Sequence, residues 1–482
     1  MTRRALLVLT LMAATGSTGR AQRATGDSVS RWVDSIFAPV SSRQGPGCAV
    51  GVAQNGGLTF SRGYGMADLE HDTPITPDTR FYLASLSKQF TAMSIVLLAQ
   101  DHRLSLDDSL RKWVPEVPNF GATITLRQLL HHTSGLRDYF TLLAVSGWPS
   151  DGQLTERQLL ALVARQKSLN FQPGDEFLYS NTGYALLAIV VKRASGQSLR
   201  DFAEARIFKP LGMTHTVFRD DHTTLIPQRA LGYQAAASGF RLSQPQFDVV
   251  GDGGAYSTVE DLAKWDENFT TGRVGGKSGI LEMERAGQLN DGQPISYALG
   301  LTIGELHGLK TYSHGGAYGG YRTELLRIPQ KRLSVITLCN TASASSTLAE
   351  QVSRVFLGVA AEKTNVMAMD LPPFSLMAFG TAAQPSDSSG ARQRNDRLAL
   401  LAGRYYSDEL DLPVTVAARE GVLVLTRPRA DELRFVPLAE DLFTNSDQML
   451  LRVVHDSSGA ITGFTLTVNR VRDLEFTRTN VP

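Results

Sequence analysis

Between residues 28 and 42 the apolar positions Val29, Trp32, Val33, Ile36 and Phe37 recur every three or four residues, which predicts an amphipathic helix. Residues 48–53 form a short apolar strand, Asn55-Gly56-Gly57 a hairpin turn, and residues 58–64 the returning strand. Residues 85–100 are apolar nearly all round (Phe90, Ala92, Met93, Ile95, Val96, Leu97, Leu98), the pattern of a buried helix. From 106 to 265 helical patterns separated by turns predominate, and residues 310–313, 321–328 and 333–338 predict three further strands before a last helix at 345–357. Strands first, helices in the middle and strands again at the end predict an α+β domain. Its two ends meet on one antiparallel sheet flanked by helices, and the middle is a helical insertion.

The stretch around Pro385-Ser386-Asp387-Ser388-Ser389-Gly390 is polar and reads as linker, expected over 363–396. Beyond it, residues 414–417, 422–425, 434–437, 449–454, 463–468 and 473–477 predict short strands parted by turns such as Asp456-Ser457-Ser458-Gly459. They make 397–482 a small all-β, barrel-like domain. At the other end Arg3 and Arg4 precede a largely apolar run at 5–14, and Gly19-Arg20-Ala21 supplies small residues ahead of Gln22. This is the pattern of a secretory signal over 1–21, with a core domain at 22–362 behind it. The run is about half the ~20 residues that span a bilayer. The expectation is an exported chain, periplasmic or secreted, with no integral membrane segment once the signal is removed.

The 482 residues carry 48 basic and 47 acidic side chains, and loss of Arg3, Arg4 and Arg20 with the signal tips the balance slightly negative. No basic stripe marks a nucleic-acid partner. Cys48 and Cys339 are the two cysteines, neither in a metal-ligand spacing. Asp220-Asp221-His222, near His215, reads as a solvated loop, because no fixed element sets out ligands there. No metal and no cofactor is expected, and nothing in the pattern sets an oligomeric state.

Three separated clusters carry chemistry. In Ser85-Leu86-Ser87-Lys88, at the start of the buried helix, positions i and i+3 share a face, so Lys88 reaches the Ser85 hydroxyl. A serine needs a base to become nucleophilic, and burial favours a neutral lysine that can be that base. The same spacing at Ser109-Leu110-Arg111-Lys112 lies in a charged stretch ending at Pro115 and reads as a solvated helical turn. The second cluster, Tyr179-Ser180-Asn181 after Pro173-Gly174, offers a phenol for proton relay and an amide that both donates and accepts. The third, His314-Gly315-Gly316-Ala317 at the end of a strand, brings backbone amides close to a ligand.

SxxK, then YxN, then a strand with [K/H]xG resembles the penicillin-binding serine hydrolases. Within them the chain is most similar to the group of class C β-lactamases, D-aminopeptidases, DD-carboxypeptidases and related esterases. Leu129-Leu130-His131-His132-Thr133-Ser134-Gly135-Leu136, Pro210-Leu211-Gly212-Met213 and Gly253-Gly254-Ala255-Tyr256-Ser257-Thr258 extend the resemblance over about 30–360. The C-terminal strands resemble the lipocalin-like modules that follow this domain in some D-aminopeptidase relatives. The resemblance implies an acylated nucleophile at Ser85, its base at Lys88, a relay at Tyr179 and an acyl-amide contact at Asn181. It implies an oxyanion hole from the amides of Ser85 and Ala317, with Gly316 in the same motif, and His314 facing the substrate's distal group. His132 is expected to be a structural hydrogen-bonding group. Arg427, Arg429 and Asp431 are candidates for reaching the cleft from the C-terminal domain. The family's lactamases and carboxypeptidases usually carry Lys-Thr-Gly where this chain has His314-Gly315-Gly316. A histidine is mostly neutral where a lysine is charged, and Gly315 removes a hydroxyl, so recognition of a substrate carboxylate is weakened. Hydrolysis of a small-molecule or peptide substrate is expected, peptidase of the D-amino-acid type or esterase first. A β-lactamase or DD-carboxypeptidase is the alternative, and a penicillin-binding sensor without turnover the second. The fold makes the first and last strands antiparallel neighbours, so Cys48 and Cys339 could face each other; a bridge and two free thiols both remain open.

Overall fold

The computed structural model describes residues 26–149, 151–359, 398–428 and 430–479. The expected signal and linker lie outside the described residues. Strands β1 (Cys48–Gln54) and β2 (Gly57–Tyr64) open the main sheet, and β3 (Thr302–Leu306), β4 (Leu309–Tyr318), β5 (Tyr321–Ile328) and β6 (Leu333–Cys339) close it. The antiparallel order is β3-β4-β5-β6-β1-β2, so the first strand pairs with the last. In that register Cys48 stands opposite Cys339, and the two sulfurs are bonded.

Both faces of the sheet are covered, and β1 is buried on both sides. On one face helices α1 (Gly26–Phe37) and α6 (Leu348–Leu357) bring Val33, Phe37, Leu348 and Val352 against Val50, Val335 and Ile328. The other face carries the large core built on α2 (Lys88–Gln100), α4 (Asn181–Ser195) and α5 (Val259–Thr271). A shorter helix, α3 (Tyr139–Ser146), lies in the insertion. Among the described residues no helix is long and apolar enough to cross a membrane.

The C-terminal strands close into an eight-stranded antiparallel barrel. They are β7 (Gly403–Ser407), β8 (Leu412–Arg419), β9 (Val422–Thr426), β10 (Leu433–Ala439), β11 (Leu442–Thr444), β12 (Leu450–His455), β13 (Ile461–Val468) and β14 (Val471–Arg478). Alternate residues point inward, where Tyr405, Phe435, Phe443, Phe464 and Phe476 are buried and Phe464 stacks on Phe476 at 4.8 Å. The barrel docks on the insertion through a buried ion pair of Arg137 with Glu409. Arg137 also donates to Ser168 Oγ and to the carbonyls of Arg472 and Asp473.

Two local expectations are corrected. Ser85 does not begin the α-helix: Ala84–Ser87 is a 3₁₀ turn, and the α-helix starts at Lys88. The third cluster is not at a strand end, because β4 runs on through it to Tyr318, paired residue by residue with β5. Glycines suggest a turn in sequence, but here they let a paired strand press against its neighbour.

Candidate active site

The 3₁₀ turn hangs from Leu83, whose amide donates to the Ala255 carbonyl and whose carbonyl accepts Thr323 Oγ1 from β5. Ala84 has φ +48°, a left-handed conformation that costs a non-glycine residue about 1 kcal/mol. It swings the chain so that Ser85 and Lys88 stack one turn apart. A Cβ on Gly316 would lie 2.1 Å from the Leu83 carbonyl oxygen, so only glycine lets β4 approach this turn. Gly315 and Ala317 alternate to the exposed side of β4.

Lys88 is fully buried. Its Nζ lies 3.0 Å from Ser85 Oγ, 2.9 Å from Asn181 Oδ1 and 2.7 Å from the Asp252 carbonyl oxygen. A neutral amine has two N–H donors and one lone pair. The Asn181 and Asp252 oxygens only accept, so they take both donors and leave the lone pair for the Ser85 hydroxyl. Burial drives Lys88 below its ordinary pKa, against the pull of the Asp252 carboxylate, and Arg470 adds to the lowering. Asp252 is pushed up by burial, and its carboxylate accepts from Tyr139 Oη at 2.9 Å. Lys112 of the decoy motif is 56% exposed and paired with Asp108 at 2.8 Å, a surface ion pair with no claim on Ser109.

Asn181 begins α4 and is oriented by Asp138. One carboxylate oxygen of Asp138 accepts from Asn181 N at 2.7 Å and Nδ2 at 2.9 Å, which fixes Oδ1 toward Lys88. The other accepts from Thr141 and caps α3. Tyr179 precedes α4, with Lys88 Nζ 4.9 Å from its ring centre. Burial raises the Tyr179 pKa, while Ser85 and Arg470 pull it down. Its hydroxyl has no hydrogen-bond partner among the described residues. His132 brackets this tyrosine: its carbonyl accepts Leu178 N at 3.0 Å and its Nδ1 accepts Ser180 N at 3.1 Å. Its ring centre is 4.1 Å from that of Tyr179, and burial holds it neutral.

His314 is buried with both ring nitrogens engaged inside the protein. Nδ1 lies 2.7 Å from the Gly315 carbonyl, which can only accept, so Nδ1 carries the proton and Nε2 accepts from Tyr297 Oη at 2.9 Å. Burial and Lys88 lower its pKa to about 3. The structure thus places a neutral, internally bonded ring where the resemblance implied a group facing substrate.

The sequence clusters meet, but the groups that position them were not legible. Asp138, Asp252, Tyr139 and Tyr297 sit in segments whose local patterns say only turn or core. The expectation for the barrel named Arg427, Arg429 and Asp431. Arg427 donates to the Ala144 and Val145 carbonyls at the end of α3 and to the Asp431 carbonyl, so it is spent on docking the barrel to that helix. Arg429 lies outside the described residues. The barrel residue that reaches the site is Arg470, in the turn between β13 and β14. Its guanidinium lies 4.8 Å from the Tyr179 ring centre and 3.9 Å from Asp138. In the solvated loop, Asp221, His222 and Asp248 lie together, with the His222 nitrogens 2.8 Å from Asp248 and 2.8 Å from Gln153.

Comparison with known proteins places the fold among relatives of known family. The model of the family described as Beta-lactamase matches residues 29–357. A D-aminopeptidase of Gluconobacter oxydans is 30% identical over 337 residues, 69% of this chain and 63% of that enzyme, so this chain spans under two thirds of that relative. A D-aminopeptidase of Brucella anthropi is 30% identical over 434 residues, 79% of this chain and 82% of its own. An octameric penicillin-binding protein homologue from Pyrococcus abyssi superposes with a TM-score of 0.61 at 25% identity, covering 93% of this chain and 99% of that one.

Proposed function

This chain belongs to the beta-lactamase family of serine hydrolases, and from that premise we propose that it cleaves amide or ester bonds through an acyl-enzyme on Ser85. The observation that carries the reading is the placement of Lys88 Nζ, 3.0 Å from Ser85 Oγ and within hydrogen-bond reach of two carbonyl-type oxygens, which in the neutral amine take both donors and leave the lone pair for Ser85. As Oγ attacks the substrate carbonyl, its proton passes to Lys88 Nζ. The oxyanion is held by the amides of Ser85 and Ala317. Tyr179 hands a proton to the leaving amine or alkoxide and is replenished from Lys88. Water then attacks the acyl-enzyme with Tyr179 and Lys88 as base. Asn181 gives one N–H to Asp138 and has a second for the acyl group of the substrate.

Peptides of the D-amino-acid type, or esters, come before β-lactams and DD-carboxypeptidase substrates. A neutral His314 and a bare Gly315 offer no positive charge and no hydroxyl for a substrate carboxylate on this strand. The relatives named D-aminopeptidase point the same way. Export through the signal at 1–21 belongs to the same reading, and sets the chemistry outside the cytoplasm.

The test is intact-mass kinetics on the protein and on Ser85→Ala with a short acyl ester, a D-amino-acid amide and a penicillin. Ser85-dependent turnover of the ester or amide is expected. A long-lived penicillin adduct without turnover turns the reading to a sensor, and equal behaviour of both proteins removes Ser85 as nucleophile.

A further inference from the structure

The barrel reaches the active site at one turn, Asn469-Arg470. Asn469 is left-handed (φ +47°), so β13 and β14 reverse tightly there. The main domain holds the turn by its backbone: the Arg470 carbonyl accepts Asn170 Nδ2 at 2.9 Å and Asp138 N at 3.3 Å. The Arg470 side chain is 13% exposed and donates no hydrogen bond to a described residue. It rests over the Tyr179 ring, 3.9 Å from the carboxylate oxygen of Asp138 that orients Asn181. A continuous path of contacts therefore runs from the barrel through Asp138 and Asn181 to Lys88 and Ser85.

Charge balance gives this contact a purpose. The ionisable groups facing Lys88 and Tyr179 are Asp252, Asp138, His132, His314 and Arg470, with the phenols of Tyr184 and Tyr297, whose pKa values burial raises. Both histidines are held neutral by burial. Without Arg470, two buried carboxyl groups would face one amine with no second cation beside them, and the balance set by burial would move toward the ammonium, which cannot take a proton from serine. With Arg470 present, Asp138 already has its counter-charge.

We propose that Arg470 is a positioning residue delivered to the active site by the barrel, a fixed cation that favours the neutral Lys88 amine and negative charge on Tyr179 during proton transfer. The inference rests on the reading of Ser85 as nucleophile and Lys88 as its base. Arg470 also lowers the pKa of both Lys88 and Tyr179, in the direction the proposal needs. On this view the barrel is part of the catalytic apparatus.

The experiment follows the rate at which a fluorophosphonate labels Ser85, by intact mass, from pH 5 to 9 on the full chain. The phosphonylated serine forms as fluoride leaves, so the rate reports nucleophile activation without knowledge of the natural substrate. The variants are Arg470→Ala, Arg470→Met, Arg470→Lys and, as a docking control, Arg472→Ala. Arg472, two residues on in β14, pairs with Glu176 of the main domain. Loss of the cation should move the rising limb of the profile upward by about one pH unit and slow labelling at pH 7 about tenfold. Arg470→Met keeps most of the apolar stem, so agreement between it and Arg470→Ala separates charge from packing. Arg470→Lys should restore the limb, and Arg472→Ala should leave it in place. A limb that stays put in both neutral variants, however far the rate falls, overturns the proposal, as does Arg470→Lys behaving like Arg470→Ala. Labelling that survives Ser85→Ala overturns the nucleophile reading itself, and the role of Arg470 with it.

Discussion

Arg137 and Glu409 form an ion pair with both side chains 1% exposed, at the seam between the barrel and the main domain. At an effective dielectric of ~20, opposite charges about 4 Å apart attract by about 4 kcal/mol, while desolvating each ion costs several kcal/mol. The intact pair therefore contributes little net stability. Removing one partner is different. Glu409 keeps Lys167 N as a donor to one oxygen at 2.8 Å, but its other oxygen has no partner. Arg137→Met leaves that carboxylate buried without a counter-charge and removes donors to Ser168 and to two barrel carbonyls. A loss of about 3–5 kcal/mol is expected, with a similar loss for Glu409→Leu. The double variant removes both desolvation costs and should recover about 3 kcal/mol of the summed loss. Because two domains are involved, hydrogen exchange read separately in barrel and main-domain peptides is the measure, with calorimetry as a check. The singles should weaken protection mainly in the barrel. Losses that simply add in the double variant would refute the reasoning, because the two groups would then not act as a unit.

Gly316→Ala places a methyl 2.1 Å from the Leu83 carbonyl oxygen and must push β4 off the nucleophile turn, so kcat/KM should fall about 100-fold or more; a near-normal rate would mean the amide of Ala317 is not used. Asp266 is buried with one oxygen that makes no hydrogen bond and lies 3.8 Å from Arg327 Nε, and burial raises its pKa to about 6. The folded state then binds the proton more tightly than the unfolded chain, so stability falls as pH rises from about 4 to 6, by at most about 2–3 kcal/mol. Asp266→Asn should flatten that slope in denaturant titrations at pH 4, 6 and 8, and an unchanged slope would assign it to other groups. The Cys48–Cys339 bridge closes a span of 291 residues, for which chain entropy sets an upper limit of about 5–6 kcal/mol. Cys48→Ala with Cys339→Ala should lower the melting temperature, and an unchanged value would show that packing of β1 on β6 already suffices.

The parts of the site legible in sequence were those with local signatures. The i, i+3 spacing of Ser85 and Lys88 sits on an element apolar all round, and the charged surroundings of Ser109 and Lys112 marked that copy as surface. Asp138, Asp252 and Arg470 have no such signature, because they converge from three turns far apart in the chain. Ala84 shows the same limit at one residue: a left-handed alanine is imposed by tertiary contacts, and sequence rules look for glycine or asparagine there. The barrel was foreshadowed by six strands. Closure depends also on β7 and on β11, three residues long at Leu442–Thr444, too short to show alternation.

The order of strands in the main sheet has a consequence for how the chain is made. β1 ends up central, between β2 and β6, yet β6 is synthesised nearly three hundred residues later. Until then β1 is an edge. Its sequence, Cys48-Ala49-Val50-Gly51-Val52-Ala53-Gln54, is apolar on both faces and has no charge or proline to block pairing with another chain. The nascent protein therefore carries an unprotected hairpin through the synthesis of the whole helical insertion. Folding that waits on so distant a partner is slow and concentration-sensitive. Yield from dilute refolding or with a chaperone present should exceed yield at high concentration, and a lysine placed on β1 would relieve the aggregation only by spoiling the finished sheet.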